Sequence, residues 1–132
     1  MEAVNLSKYL RISPKKIKGL ASLIVDLSPD RAQERLSFIG GKAPKLLSSA
    51  IAAAKANAVN NLKLNAENLL IKEVVVGKGP FFKRWNPVSR GSAHQIKKRT
   101  THLKVTVAEN EKSHQPLVQK TQQIEKMQKE KK

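Results

Sequence analysis

Two apolar, β-branched segments separated by about 25 residues constrain this chain more than any other feature of its sequence. Residues 69–76 read Leu-Leu-Ile-Lys-Glu-Val-Val-Val, and residues 103–107 read Leu-Lys-Val-Thr-Val. Both patterns are typical of strands, and the second is typical of a half-buried one. The separation is too long for a tight hairpin turn, and a structureless loop of that length would be unusual inside a compact domain. We therefore predict that both strands continue outward as a two-stranded ribbon.

The predicted ribbon forms an arm over about residues 78–102. It contains two turn signals, Asn86-Pro87 and Arg90-Gly91. At ~3.4 Å per residue, ten residues on each side would carry the tip roughly 30 Å beyond the rest of the protein. An isolated two-stranded ribbon is marginally stable in water, so we expect the arm to become ordered against a partner.

The charge of the same segment indicates the class of that partner. The 132 residues include 26 Lys and Arg against 10 Asp and Glu, a formal net charge of +16. Residues 80–104 contain no acidic residue, and their basic residues are Lys83, Arg84, Arg90, Lys97, Lys98, Arg99 and Lys104. An ordinary surface mixes both signs, so this segment predicts a polyanionic partner: nucleic acid, an acidic membrane surface or an acidic protein. Contact with phosphate is favoured.

Three aromatic residues, Phe81, Phe82 and Trp85, lie among these cations. Aromatic rings and guanidinium planes stack on unpaired bases, while Lys and Arg contact phosphates. We expect one of the two phenylalanines to anchor the ribbon to the body instead. Trp85, beside the turn, is harder to bury within the protein, and we expect it to pack on RNA or on a neighbouring protein.

A short strand over residues 3–12 and three helices are predicted before the arm. Ser13-Pro14 and Ser28-Pro29 each place an N-cap residue before a proline at the first helical position. Gly40-Gly41 is predicted to end the second helix with a left-handed cap. The third helix is predicted from about Pro44 to Asn60-Asn61.

Apolar residues recur at helical spacing in all three predicted helices. The stripe of the first helix is Ile17, Leu20, Ala21 and Ile24, that of the second is Ala32, Leu36 and Ile39, and that of the third is Leu47, Ala50, Ile51, Ala54 and Ala58. Lys15, Lys16 and Lys18 crowd the first turn of the first helix, where positive charge opposes the helix dipole. An anion bound at this end would offset that cost.

The residues of common catalytic and metal sites are missing. The sequence has no cysteine, which excludes disulfides and thiolate metal sites. His94, His102 and His114 lack metal-ligand spacing, and no Ser-His-Asp arrangement can be argued. We expect no enzyme activity, metal or cofactor. No apolar stretch is long enough for a transmembrane helix and the N-terminus lacks a signal or transit pattern, so we expect an intracellular protein without membrane insertion.

Several specific segments resemble the bacterial-type ribosomal protein twenty-two family of the large subunit. The similarity covers about residues 3–108 in order, spacing and length. The segments that show the similarity are Arg11-Ile12-Ser13-Pro14-Lys15-Lys16, Ala54-Lys55-Ala56-Asn57-Ala58, Val76-Gly77-Lys78-Gly79-Pro80 through Lys83-Arg84, Pro87, Arg90-Gly91, and Ile96-Lys97-Lys98-Arg99-Thr100-Thr101-His102-Leu103-Lys104-Val105.

The resemblance implies an α+β fold in which three helices pack on a small three-stranded antiparallel sheet, with a long protruding β-hairpin. It implies a structural constituent of the large ribosomal subunit that binds rRNA and assists its assembly, located in the cytoplasm or, for an organelle-encoded copy, in an organelle. The hairpin would line the nascent-peptide exit tunnel. The implied partners are large-subunit rRNA, neighbouring ribosomal proteins and the nascent peptide, with no homo-oligomer expected.

The candidate site residues fall into two predicted sets. The rRNA-binding set is Lys8, Arg11, Lys15, Lys16, Lys18, Lys83, Arg84, Trp85, Arg90, His94, Lys97, Lys98, Arg99 and His102. The tunnel-facing tip is Pro87, Val88, Ser89, Arg90, Gly91 and Ser92. The tip carries a single cation where the family usually has more.

A single domain is predicted over residues 1–110, followed by a charged tail over residues 111–132 that is either disordered or helical. The strongest rival function is a DNA-bending protein with basic ribbon arms and an Arg84-Trp85-Asn86-Pro87 wedge. Such proteins dimerise through an apolar helical core, whereas the helix faces here are satisfied within one body. An RNA-processing enzyme would need a carboxylate pair or metal cluster. A membrane-active protein would need one helix both basic and amphipathic.

Overall fold

The computed structural model describes residues 1–109, and over that range it confirms the predicted α+β fold. Three helices and one three-stranded antiparallel sheet make up this part of the chain. The elements are β1 (Glu2–Leu10), α1 (Pro14–Ala21), α2 (Pro29–Ser37), α3 (Lys42–Leu62), β2 (Leu69–Pro87) and β3 (Ala93–Glu109), with 3₁₀ turns at Ala66–Asn68 and Ser89–Gly91.

The sheet has the order β1-β3-β2, so β3 is the central strand. Its body half pairs with both neighbours: Val105 lies opposite Asn5 of β1 and Val74 of β2. Beyond this half, β2 and β3 continue as a pair until Pro87 lies opposite Ala93. The two strands predicted from the apolar segments are therefore the inner halves of two much longer strands. We call residues 78–102 the arm, and residues 1–77 with 103–109 the body.

The core lies between one face of the body sheet and the helices. Leu47 and Ile51 of α3 are fully buried, as are Ile71 of β2 and Val105 and Val107 of β3. The predicted α3 stripe is confirmed, because all five of its residues are buried. Its alanines let the helix approach the sheet closely, and each large side chain removed from water, such as Leu47 or Ile51, contributes about 1.5–3 kcal/mol.

The two proline-started helices begin where predicted but end early. Ser13 and Ser28 are the N-cap residues of α1 and α2, each with proline next, although neither side chain makes a capping hydrogen bond. Helix α1 ends at Ala21, and Ile24 is buried from the turn that follows. Pro14 and Pro29 supply the fixed φ that starts each helix without an unpaired N–H.

The predicted glycine cap of the second helix is wrong. Helix α2 ends at Ser37, and its C-cap residue Phe38 keeps right-handed helical angles. Ile39, predicted to be buried, follows the helix and is exposed on the surface. Gly41 instead precedes α3 as its N-cap, with φ +119°, a conformation that side-chain-bearing residues resist.

Residues 110–132 lie outside the described part of the chain, and with them the predicted C-terminal tail. The proposed domain limit at residue 110 stays a prediction. None of the helices within residues 1–109 is long and apolar enough to cross a membrane.

Candidate nucleic-acid interface

The arm is a ladder of paired strands without a covering layer. Every residue from 81 to 99 is exposed except Val88, which is half-buried. At the tip, the Val88 N–H donates to the Ser92 carbonyl at 2.9 Å, and Arg90 and Gly91 adopt φ of +59° and +70°. These angles make the turn predicted at Arg90-Gly91. The arm presents its side chains to its surroundings on both faces.

Cations occupy both faces of this ladder. Lys97 lies opposite Lys83, Lys98 opposite Phe82, and Arg99 opposite Phe81. Successive side chains of a strand point to opposite faces, so Lys98 lies on one face and its neighbours Lys97 and Arg99 on the other. Like charges directly opposite one another are destabilising, which makes Lys83 and Lys97 a local cost of the free arm.

Acidic partners are found only in the body. Within residues 1–109, the two ion pairs are Lys55 with Asp30, at 2.6 Å, and Lys72 with Glu2. The arm itself contains no carboxylate. Its positive charge is therefore not neutralised by ion pairs in this part of the chain, and phosphate groups would neutralise it.

Both phenylalanines at the start of the arm lie beside cations. The Lys97 ammonium is 5.1 Å from the Phe81 ring centre, and the Phe82 ring centre is 5.4 and 5.5 Å from the guanidinium carbons of Arg11 and Arg84. These are cation–π distances. The rings are 46% and 42% exposed, so neither is a buried anchor. Phe82 is the ring that contacts the body, through Arg11.

Trp85 lies opposite Gln95, two pairs before the end of the ladder. It is 67% exposed, which is high for the largest apolar side chain in the protein. The predicted difficulty of burying Trp85 within the protein is confirmed for the described residues. Its ring is available to stack on an outside partner.

The base of the arm is held to the body by a cluster of side chains on β1 and β3. Strand β1 has a register shift between Ser7 and Leu10, where Tyr9 adopts φ +57°. There the Tyr9 backbone N–H donates to His102 Nδ1 at 3.1 Å, and the two rings meet edge to face. The buried Thr101 hydroxyl donates to the Ile12 carbonyl at 2.7 Å. A bulge of this kind bends a strand, and after it β1 makes one further pair, Leu10 with Thr101, before it ends at the base of the arm.

A second irregularity lies on the other side of the base. The β2–β3 register shifts between Lys78 and Phe81, and Pro80, which has no N–H to donate, sits inside that shift. The Thr100 hydroxyl donates to the Pro80 carbonyl. A Cβ on Gly79 would overlap Thr100 Oγ1 and lie 3.3 Å from His102 Nε2, which requires glycine at this position.

Two open clefts flank the base where the loop between β1 and α1 meets the arm. The larger, about 530 Å³, is lined by Arg11, Ile12, Ser13, Phe82, Arg84, Lys97, Lys98, Arg99 and Thr100. The smaller, about 340 Å³, is lined by Ser13, Pro14, Lys15, Lys78, Gly79, Phe81, Arg99 and Thr100. Phe82 lines the larger cleft and Phe81 lines the smaller one. Because neighbouring side chains of a strand point to opposite faces, these two rings lie on opposite faces of the ribbon. Neither lining includes a carboxylate.

The structure brings part of the predicted rRNA-binding set together at the two clefts and leaves the rest exposed elsewhere. Arg11 and Lys15 join the arm cations at the clefts, and Lys16 and Lys18 are exposed on the same helix as Lys15. The predicted place of Lys18 in the first turn is wrong, because α1 is short and Lys18 lies in its last turn, where positive charge suits the helix dipole. Lys8 is exposed beside the β1 bulge, and His94 lies opposite Asn86 near the tip. His102 differs from the rest, since one of its ring nitrogens already accepts a hydrogen bond within the protein.

Sequence reasoning gave no site role to six residues of the clefts: Ile12, Ser13, Pro14, Lys78, Gly79 and Thr100. The pairing of the two apolar strands, extended residue by residue toward the tip, would have placed Lys78 opposite Thr101 and Gly79 opposite Thr100. Nothing local would have placed Ser13 there. In residues 1–109, no group of three or more His, Asp or Glu side chains is arranged to hold a metal ion.

Comparison with known proteins gives a consistent result. The sequence model of a family described as Ribosomal protein L22p/L17e matches residues 6–108. A protein of Akkermansia muciniphila named large ribosomal subunit protein uL22 is 41% identical over 111 residues, 84% of this chain and 99% of the relative. Proteins of the same name from a Roseiflexus species and from Protochlamydia amoebophila are 39% identical over 111 residues (84% and 98%) and 45% identical over 103 residues (78% and 93%).

Proposed function

The chain belongs to the ribosomal protein L22p/L17e family, and from this membership we propose that its arm and the adjoining end of α1 bind rRNA. As a member of that family, the protein is a structural constituent of the large ribosomal subunit and not an enzyme. The large subunit is cytoplasmic in bacteria. Our proposal concerns which residues bind RNA and what the arm does.

One observation carries the rRNA-binding proposal: the arm presents cations and half-exposed rings on both faces and has no carboxylate. A protein lying on a flat anionic surface needs charge on one face only. A ribbon with charge on both faces suits a partner that surrounds it, as folded RNA does. Lys and Arg would contact phosphates, and Trp85 would stack on a base or on a neighbouring ribosomal protein.

The predicted rRNA-binding residues then divide by position. The arm cations would bind inside the RNA, while Lys8, Arg11 and the α1 lysines would fix the body on its outside. Binding at both places would tie together separate parts of the rRNA, which is how the protein would assist assembly. Neighbouring large-subunit proteins are the expected further partners.

A competition experiment tests rRNA binding. The full chain is bound to large-subunit rRNA fragments at several salt concentrations, with duplex DNA as competitor. If the six arm cations of the predicted set each contact phosphate, the slope of log affinity against log salt should be about −4 to −5. Preference for rRNA over DNA supports the proposal. A flat salt dependence, or equal competition by DNA, contradicts it.

We also propose that the tip, residues 87–92, forms part of the wall of the nascent-peptide exit tunnel. Pro87 fixes the entry to the turn, and Gly91 takes positive φ there. Apart from Arg90, the side chains from Ser89 to Ala93 are small, so the tip adds little bulk beside a passage. The nascent peptide would pass this surface.

Deleting residues 87–92 tests the tunnel role. Subunit assembly should be mostly intact, because the body and Lys97–Arg99 still bind, whereas peptide stalling and sensitivity to tunnel-bound inhibitors should change. Failure to assemble would show that the tip is an assembly anchor. Normal stalling and normal inhibitor sensitivity in the assembled subunits would contradict a tunnel-wall role.

A further inference from the structure

The larger cleft at the arm base combines two kinds of binding group. One part is a stacking platform: the Phe82 ring with the guanidinium groups of Arg11 and Arg84, both within 5.5 Å of the ring centre. The other part is cationic and comes from β3, where Lys98 lines the cleft opposite Phe82. The cleft joins the body to the arm, since Arg11 follows β1 and the others lie on the arm.

The platform is open rather than packed. Phe82 is 42% exposed and does not belong to the buried core. The Arg84 guanidinium donates to the Lys83 carbonyl at 2.7 Å, which holds one edge of the platform in position. A flat ring flanked by guanidinium planes is the surface on which an unpaired base stacks. Burying the remaining ring area under a base would also remove apolar surface from water.

The cationic part requires a negative charge. Lys98 lies opposite Phe82 in the strand pairing, so both side chains are on the same face of the ribbon. No carboxylate lines the cleft. The ligand must therefore supply both an aromatic face and an anion within a volume of about 530 Å³, which is in the range of small-molecule sites. Paired duplex keeps its base faces stacked inside the helix, and a lipid headgroup or an acidic side chain supplies the anion alone.

We propose that this cleft binds one unpaired nucleotide of rRNA, its base stacked on the platform of Phe82, Arg11 and Arg84, and its phosphate contacted by Lys98, which lies on the same face as Phe82. The inference rests on the proposed rRNA binding and deepens it: the base of the arm recognises an unstacked nucleotide, beyond the general attraction of cations for phosphate. Because the platform includes Arg11 of the body, binding the nucleotide would also fix the direction of the arm.

The test uses the full chain bound to large-subunit rRNA, with base-specific chemical probing of the RNA and a parallel affinity measurement. The variants are Phe82→Leu, which removes the ring but keeps an apolar side chain, Phe82→Trp, which keeps a stacking face, and Arg11→Gln. The matched control is Phe38→Leu, which removes a ring that is 82% exposed on the body, far from the arm in sequence.

We expect Phe82→Leu to weaken binding about tenfold, the usual effect of losing one stacked base, and to expose the bases of one or two unpaired nucleotides that the wild type protects. Arg11→Gln should expose the same nucleotides, and Phe82→Trp should restore their protection. Phe38→Leu should change neither measurement. This set of results supports the proposal.

Identical footprints for Phe82→Leu and Phe38→Leu would overturn the nucleotide site while leaving rRNA binding intact; the cleft would then face a neighbouring protein or solvent. Exposure confined to paired nucleotides, or no recovery in Phe82→Trp, would also overturn it. Failure of the wild type itself to prefer rRNA over duplex DNA is a different result, which rejects the proposed function.

Discussion

The body and the arm are built on the same two strands, yet they differ in almost every other respect. In the body, β2 and β3 bury Ile71, Val105 and Val107 under helices. In the arm, the same strands continue their backbone pairing with no covering layer, and nearly every side chain is exposed. Backbone pairing therefore does not need a core at every step once one end of a ribbon is held in a sheet. The body derives its stability from its own packing, and the arm would be stabilised by what it binds.

The change in chemistry between the two regions is confined to a few residues. Thr100 and Thr101 are buried, whereas Arg99 is exposed. On the opposite strand, Gly79 and Pro80 fall in the register shift that separates the two regions. The junction between body and arm is thus marked by two bulges and two hydroxyl hydrogen bonds.

The largest effect should come from a cavity in the body. Leu47→Ala removes a fully buried side chain of α3 and should lower the free energy of unfolding by about 2–5 kcal/mol. Chemical denaturation of the free protein measures it. Ile96→Ala in the arm is the control, and because Ile96 is 38% exposed its effect should be under about 1 kcal/mol. Similar losses in both variants would mean that the arm is packed as the body is.

The next effect separates binding from stability. Replacing Lys97, Lys98 and Arg99 by Ala should weaken rRNA binding about 10- to 100-fold and reduce the salt slope by about 2–3, since three phosphate contacts are lost. Stability of the free protein should be unchanged. Replacing Arg31, Arg35 and Lys45 of the body by Ala alters the net charge equally and should leave affinity nearly unchanged. A core-like loss of thermal stability in the arm variant would make its cations structural.

A third effect tests the junction. Gly79→Ala places a Cβ against Thr100 Oγ1 and should destabilise the free protein by about 1–2 kcal/mol, because Thr100 is short and already hydrogen-bonded. Gly19→Ala is the matched control: its Cβ meets nothing within 4 Å, and alanine favours a helix. Thermal unfolding of both variants distinguishes them. Equal stability of the two variants would show that the junction accommodates a Cβ at position 79 without loss of stability.

The smallest effect concerns the ion pair at the start of β1. The hydrogen bond and the positive charge of Lys72 lower the pKa of Glu2 below its ordinary value of 4.5. A lowered carboxyl pKa stabilises the folded chain above the ordinary value, and this stabilisation is lost as the pH falls through the lowered pKa. Glu2→Gln should therefore lower the melting midpoint by on the order of 1 °C at neutral pH, with the difference from wild type disappearing at low pH.

The control for this pair is Glu34→Gln, an exposed substitution on α2 with the same change in net charge. A melting curve that responds to pH in the same way for both variants would reduce the Glu2 effect to net charge. The comparison would then show that even the body's ion pairs contribute nothing specific to its stability.

Much of the body could be predicted from the sequence because its signals are local. Serine followed by proline started two helices where expected, and the α3 stripe matched the buried residues one for one. The prediction that Gly40-Gly41 caps the end of α2 was wrong because glycine suits both a helix C-cap and an extended N-cap. The choice was decided by where α3 begins, at Lys42.

The arm could be predicted from strand spacing and charge, but its base could not. In the larger cleft Arg11, which follows the β1 bulge, lies beside Phe82, and no local pattern links residues so distant in sequence. Bulges depend on how two strands meet and leave no reliable trace in one strand alone. The sequence therefore predicted the cations, but only the structure shows that Arg11 and Arg84 form a platform with Phe82.

The central position of β3 has a consequence for the order in which the protein is made. Strand β1 pairs only with β3, through residues 101–108, so its edge has no strand partner until that part of the chain has been synthesised. Both legs of the arm precede those residues or include them. Pairing over such a long stretch of chain also slows folding, because the connecting loop must close first. The arm up to residue 100 is therefore synthesised before the residues that pair with β1, and the sheet that holds the ribbon at its base is completed only after them.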